Sequence, residues 1–403
     1  MNRRDVLITG LGVVSAAGVG WRACADTVSV LPTFLSGFDA TTFPARLAYQ
    51  VEKLRPQPYM KRRKDLKLMS RDAQLALVAA GLAAEDAGLL PSDPSSWPQP
   101  ADEIALYMGV GLEPGDVTEL GPALARSRAA DGSIDLDVLG EFGINLIPPL
   151  SALSTLPNMA LAHVSINLEL MGRGEALSPW GTSGLDAVAA GAEMIARGRC
   201  EMAFVGAADS DVDMSGVARY LRMGLLARLK EGDAELAAAP DGTDGLVLGE
   251  GAAFFVLESR ESAEARGKAP LARVARHAQY AVPTPQMSTF SVDVIADMVA
   301  ASLVRNARSV VVGAAGHDRR RRRVEAEAVA RAAARRGCVV TPSLDQVSSR
   351  VGWCVAAGGI VDLADRLARE RLAPSVDSIV GLAWAPTGHT STLTLDQMGG
   401  GSP

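Results

Sequence analysis

The stretch Gly181-Thr182-Ser183-Gly184-Leu185-Asp186, which continues as AVAAGAEMIARGRCEMAFVGAAD to Asp209, carries the reading of the chain. Apolar residues recur at helical spacing from Leu185 to Arg197, and Met202 to Gly206 then reads as a buried strand. A small-residue turn, a helix and a strand in that order form the unit from which layered α/β folds are built. The same grammar appears on both sides. Upstream, Val6 to Thr9 is a buried-strand run that meets the glycine-rich turn Gly10-Leu11-Gly12. The alanine-rich segment Arg71 to Leu89 is helical and stops at Gly88 and Pro91. Ile104 to Val110 reads as a strand, residues 113–147 as an irregular excursion, and Asn158 to Leu170 as a helix.

Downstream, a polar loop from Lys230 to Asp244 precedes strands around Leu246–Leu248 and Ala252–Leu257. From about Pro270 the pattern runs again through Leu271–Ala281, Val292–Arg305, Ser309–Val312, Val324–Arg336, Val355–Glu370 and Ser378–Ala383. No linker long enough to separate independent domains interrupts it. The expectation is one α/β body in two halves, residues 1–258 and 259–403.

Composition narrows the function. Hydrophobic residues make up 48% of the 403 and charged residues 21%, which suits a folded protein and not a disordered one. A net charge of −6 argues against a general nucleic-acid binder. The four cysteines (Cys24, Cys200, Cys338, Cys354) form no CxxC pair and stand near no histidine, so neither a zinc site nor a disulfide scaffold is expected. The start, Met1-Asn2-Arg3-Arg4-Asp5, lacks a signal-type apolar region, and no apolar run approaches the ~20 residues of a membrane span. A cytoplasmic setting, no membrane partner, no metal and no cofactor are the expectations.

Five segments resemble the β-ketoacyl synthase family in chain order: VLITGLGVVSAAG (6–18), MSRDAQLALVAAGLAAEDAGL (69–89), LPNMALAHVSINLELMGRG (156–174), SGLDAVAAGAEMIARGRCEMAFVGAAD (183–209) and DGTDGLVLGEGAAFFVLE (241–258). The last is similar to the family's DGxxxGEGAxxxVLE strand pair. The resemblance implies the thiolase fold: two similar α/β halves in a five-layer αβαβα arrangement, dimeric across the first half.

It also exposes what is missing. Family synthases hold an acyl chain on a cysteine at a helix N-terminus, where the dipole and oriented N–H groups favour the thiolate. Two histidines then assist decarboxylation of the malonyl unit, beside an oxyanion hole. Against the family's TACSSGLDA-type elbow, this chain reads PWGTSGLDA, with Gly181 in the cysteine position. Ala315 falls at the first histidine, with Ala314 as the alternative register. In the KSxxGHTxGAAG-type turn Ser348 replaces the lysine and Trp353 the second histidine. The closing glycine-rich loop reads Ala385-Pro386-Thr387-Gly388-His389-Thr390.

Within the superfamily, the chain length factors of type II polyketide synthases keep the fold and discard the cysteine. The resemblance therefore implies a non-catalytic subunit that forms a heterodimer with an active ketosynthase, meets the acyl carrier protein through that complex, and shapes the polyketide tunnel. By the same resemblance Leu112 sits at the acyl pocket, and Leu150 and Ser151 match a segment reaching toward the partner. Glycine departs from the glutamine usual in those subunits. Two other readings stay open: an acyltransferase-like enzyme using Ser183, His317 or Cys354, and a homodimeric acyl-binding protein.

Each of these residues also has a plain structural reading. His317 and the run Arg319-Arg320-Arg321-Arg322-Arg323 read as a solvated loop and face; the functional reading of the run is docking of an acidic carrier protein. Cys354 reads as a buried structural thiol. Ser183 lies in GTSG, not GxSxG, and no histidine is assigned as its base. Gly10-Leu11-Gly12 lacks the third glycine of a dinucleotide fingerprint. His163 reads as a packing residue, and Trp353 as a bulky plug in the old histidine position.

Overall fold

Val6 to Ser15 forms β1, ten residues all buried, the near-continuous apolar run of a strand covered on both faces. The strand does not stop at Gly10, as the sequence pattern suggests. Gly10 and Gly12 lie within it because a helix crosses there: a Cβ on Gly12 would come within 3.0 Å of the backbone of Ala79 and Ala83. That helix, α1 (Arg71–Asp86), begins at Ser70, whose hydroxyl accepts from the Ala73 N–H, and six of its ten buried residues are alanine. Small residues on both sides let backbone approach backbone, which explains the Ala and Gly excess.

The computed structural model describes residues 3–35, 37–38, 41–111, 117–229, 231–237, 243–281, 291–313, 316, 318–342, 351–385 and 387–398. After β1, four more strands complete the first half-sheet: β2 (Ile104–Gly109), β3 (Gly174–Leu177), β4 (Met202–Asp209) and β5 (Gly251–Ser259). Their spatial order is β3-β2-β4-β5-β1, with β3, β2 and β4 parallel and β5 and β1 antiparallel. The second half-sheet comprises β6 (Ala272–Ala281), β7 (Arg308–Val312), β8 (Val339–Pro342), β9 (Ser378–Trp384) and β10 (His389–Gln397). It runs β8-β7-β9-β10-β6, again three parallel strands followed by two antiparallel ones. Strand by strand, the two orders are identical. A short antiparallel contact, Leu7 to Arg273 and Ile8 to Ala272, joins them into one sheet.

Helices complete the layers. α1 and α2 (Asn158–Leu168) cover the outer face of the first half-sheet. α3 (Ser183–Ala196) and α7 (Gly358–Leu372) lie between the half-sheets, packed on strands of both. α5 (Val292–Ser302) and α6 (Arg319–Arg336) cover the outer face of the second, and α4 (Met214–Arg222) shares a hydrophobic cluster with Leu248 and Trp353 through Val217 and Tyr220. The result is a mixed α/β body with a thiolase-like αβαβα layering. Among the described residues no helix is long and apolar enough to cross a membrane.

Two readings of the sequence change here. Residues 117–126 and 136–141 of the excursion are helical. The arginine run is not wholly a solvated face: α6 starts at Arg319, capped by Asp318, whose carboxylate accepts from the Arg320 and Arg321 N–H groups at 2.8 and 3.2 Å. One turn of helix places consecutive residues around the axis, so some of the run must face the body. Arg321 and Arg322 do, and both are buried.

Candidate functional site

The elbow between β3 and α3 puts Gly181 at the centre of the molecule. Trp180 takes φ +67°, a left-handed conformation that costs a non-glycine residue about 1–2 kcal/mol, and so turns the chain into α3. Gly181 follows, buried, with the end of β9 against it. A Cβ at 181 would lie 3.0 Å from the Trp384 carbonyl carbon, 3.1 Å from the Ala385 Cα and closer still to the Trp384 oxygen. The position is closed by backbone as well as lacking a side chain.

Aromatic rings fill the space around it. Trp353 is buried and meets Tyr220 edge-on, ring centroids 5.2 Å apart, and Trp180 lies 6.2 Å from Tyr220 on another side. The Trp180 indole N–H donates to the Tyr220 hydroxyl at 3.2 Å, and that hydroxyl donates to Asp211, which also pairs with Arg219. Burial and the Asp211 charge push the Tyr220 phenol far up. A third indole, Trp384, donates to Glu325 at 2.7 Å and carries the Arg321 guanidinium over its ring at 4.1 Å. Burial lowers Arg321 to about 10, opposed by Asp318 and Glu325.

The alternative nucleophiles are held in structural roles. Ser183 is fully buried and donates to the Trp180 carbonyl at 2.6 Å, so its hydroxyl closes the turn. Burial pushes the Cys354 thiol well up, and Asp209, Asp362 and Glu250 add to the shift, which disfavours the reactive thiolate. One polar cluster went unforeseen: Asp186 accepts from Thr182 at 2.8 Å and Gln279 at 3.0 Å, and His277 Nε2 lies 3.2 Å from Asp186 and 3.0 Å from Ser391. Carboxylate and hydroxyl meet the same ring nitrogen. A proton relay needs the two nitrogens to serve different partners, so the cluster ties α3 to β6 and β10.

Around the filled centre the scaffold is intact. Glu250, almost completely buried, accepts from Arg71 through both oxygens (2.6 and 2.9 Å), from the Val51 N–H at 2.7 Å and from Ser210 at 2.8 Å. Asp209, at the end of β4, accepts from the Ala356 N–H at 2.6 Å. These bonds join the loops that surround the elbow from both halves of the chain.

Other positions singled out in the sequence fall elsewhere. Leu112, Ala314, Ala315, His317 and Ser348 lie outside the described residues. Leu150 is 56% exposed and Ser151 half-buried, in a segment away from the elbow. Of the arginine run, Arg320 and Arg323 face outward and Arg319 is half-buried, which removes Arg321 and Arg322 from any docking surface. His163 is buried, with Nε2 3.3 Å from the Leu68 carbonyl, and burial lowers its pKa. Among the described residues no group of His, Cys, Asp and Glu is arranged to hold a metal ion.

Residues 3–263 match the beta-ketoacyl synthase N-terminal domain. The chain belongs to the β-ketoacyl synthase family. The 3-oxoacyl-[acyl-carrier-protein] synthase 2 of Vibrio harveyi is 30% identical over 273 residues, 66% of this chain and 60% of that protein. The Coxiella burnetii synthase of the same description is 30% identical over 276 residues, with the same coverage. The match thus spans about 60% of the length of these curated relatives. Among solved structures, a beta-ketoacyl synthase from Burkholderia phymatum superposes with a TM-score of 0.78 at 21% identity, covering 99% of this chain and 100% of that one. The ishigamide ketosynthase/chain length factor superposes at 0.75 and 21% identity, covering 98% and 100%. A ketosynthase in complex with its acyl-carrier protein, AntDE:AntF, superposes at 0.68 and 16% identity, covering 98% and 100%. These likenesses carry the ketosynthase fold through the second half, beyond the sequence match.

Proposed function

We propose that this chain is a non-catalytic ketosynthase-family subunit that pairs with an active ketosynthase, in the manner of a chain length factor, and helps shape the tunnel holding the growing acyl or polyketide chain. The observation that supports the reading is Gly181: read by resemblance as the family's cysteine position, it carries no side chain, and the Trp384 carbonyl closes the space beside it. Trp353 and Trp180, the residue before Gly181, pack about Tyr220, which supports a filled centre.

The outer surface supports the partner. Large apolar side chains stand exposed through the excursion and onto α2: Leu136, Phe142, Ile144, Leu150, Ile166 and Met171. A concentration of this kind marks an interaction face. Among the described residues β3 is also the outermost strand of the first half-sheet, and an open edge invites another chain. Leu150 and Ser151 belong to this face, and we assign them, with Leu112, to the interface and tunnel. A carrier protein meets the pair through the complex; exposed cations stand at Arg320 and Arg323 and, more densely, at Lys61, Arg63, Lys64 and Lys67.

Co-expression with an active ketosynthase of a type II polyketide system tests the reading. The expected result is a one-to-one complex whose product length changes when Leu150 is enlarged to Trp. Homodimers that exclude the ketosynthase would overturn it.

A further inference from the structure

The excursion between β2 and α2 has almost no core of its own. Among the described residues from Glu119 to Met159 only Ala123, Ser127 and Gly143 are buried, and they pack on one another. A Cβ at Gly143 would lie 2.7 Å from the Ser127 hydroxyl and 3.2 Å from the Ala123 carbonyl oxygen. α1, by contrast, buries ten of its sixteen residues. The hydrogen bonds that shape the excursion are local. The Ser127 hydroxyl donates to the Ala123 carbonyl at 2.8 Å, and Asp131 accepts from the Ser133 N–H at 2.9 Å. Asp135 caps Leu136–Glu141 by accepting from the Asp137 and Val138 N–H groups at 3.0 and 3.1 Å. The two longer helices span ten and six residues, and the first, Val117–Arg126, contains Pro122. Helices of that length are marginal in water unless packed on an apolar neighbour. Ordering each residue costs conformational entropy, which three small buried residues do not offset.

Yet the segment is rich in large apolar side chains. Leu136, Phe142, Ile144, Leu146, Leu150 and Leu156 are between 47% and 75% exposed. A second surface laid over them would supply the missing burial. Charge limits what that surface is. The segment carries five carboxylates (Glu119, Asp131, Asp135, Asp137 and Glu141) against two arginines (Arg126 and Arg128), and the whole chain stands at −6. An acidic carrier protein, or a second copy of this chain, meets it with like charge. A partner with an apolar surface and a basic margin complements it.

We propose that residues 119–156 are a clasp that gains its stable packing on the paired ketosynthase, closing over an apolar, basic-margined surface of it. The inference rests on the pairing reading and adds that the free chain opens here before it opens at α1. Hydrogen exchange of the full chain, free and in a one-to-one complex with an active ketosynthase of a type II polyketide system, reads it. In the free chain the clasp amides exchange about a hundred-fold faster than those of α1, and trypsin cuts first at Arg126 or Arg128, both exposed. In the complex the same amides slow by about tenfold or more and both cuts are suppressed. Phe142→Asp with Ile144→Asp leaves the α1 amides unchanged and loses that slowing. Should this variant fail to fold, the wild-type comparison decides. Clasp amides as slow as those of α1 in the free chain overturn the proposal. So do clasp amides equally fast in the free chain and the complex, a result that leaves the pairing standing. Protection that appears in the free chain and is lost on dilution assigns a second copy and overturns the ketosynthase as occupant. If no complex forms, pairing and clasp fall together.

Discussion

The carbonyl of Trp384 occupies the space into which a side chain at Gly181 would grow. The two residues come from opposite halves of the chain, the first from the end of β9 and the second from the elbow before α3. Their contact ties the absence of a side chain at 181 to the packing of the core, and a larger residue there would meet the backbone of β9.

Gly181→Ala and Gly181→Cys are expected to destabilise the protein by about 1–3 kcal/mol, the usual cost of inserting atoms into a packed core. Denaturant titration measures it. Intact mass after incubation with acyl-carrier protein is expected to show no acyl adduct on Gly181→Cys.

The aromatic cluster should behave as core. Trp353→Ala removes a buried indole that meets Tyr220 edge-on, and a loss of about 3–5 kcal/mol is expected. Tyr220→Phe keeps the ring and removes the hydroxyl bonded to Trp180 and Asp211, so about 1–2 kcal/mol is expected. Equal losses for the two variants would contradict the packing role of Trp353.

Much of this was legible beforehand, for a definite reason. The alternation of buried strands with helices survives in both halves, since a strand covered on both faces must be apolar along its length, as β1 is. The misreadings come from residues whose role depends on a distant neighbour. Gly10 and Gly12 look like a turn, but they make room for the backbone of α1 some 70 residues later. Five arginines look solvated, but the helix periodicity turns Arg321 and Arg322 inward against Trp384 and Gly316. Trp180 and Trp384 were passed over although a signal existed: of five tryptophans in the chain, Trp180, Trp353 and Trp384 stand in or beside three of the altered motifs. What no local pattern carries is that these three converge.

Glu250 ties Val51, Ser210 and the start of α1 at Arg71 together through one carboxylate. Glu250→Gln weakens the Arg71 fork, and about 2–3 kcal/mol is expected, reduced from a fully buried pair because Arg71 is 38% exposed. The double variant Arg71→Met, Glu250→Met is expected to lie closer to the wild type than the sum of the single changes, which a double-mutant cycle measures.

Alkaline conditions should expose the buried thiol. The Cys354 pKa is raised by burial above its ordinary 9.0, so above pH 9 the unfolded chain loses the thiol proton while the folded chain keeps it. The unfolded state then binds fewer protons and stability falls as pH rises, by up to about 1.4 kcal/mol per pH unit. Melting between pH 8 and 10.5 is expected to fall less steeply for Cys354→Ala than for the wild type.

The exposed face predicts the opposite pattern from the core. Leu136→Asp with Phe142→Asp, both on exposed side chains, is expected to change the stability of the isolated chain by no more than about 0.5 kcal/mol. The same pair is expected to abolish co-purification with the ketosynthase. Loss of folding in the isolated chain would remove the argument that this face awaits a partner.

The measurement that tests the account most directly is intact mass spectrometry of this chain, alone and with an active ketosynthase, after incubation with acyl- and malonyl-loaded carrier protein. The account predicts an acyl adduct on the ketosynthase alone, and neither adduct nor decarboxylation when this chain is incubated without it. An acyl adduct on this chain, or malonyl decarboxylation by it in isolation, would contradict the account.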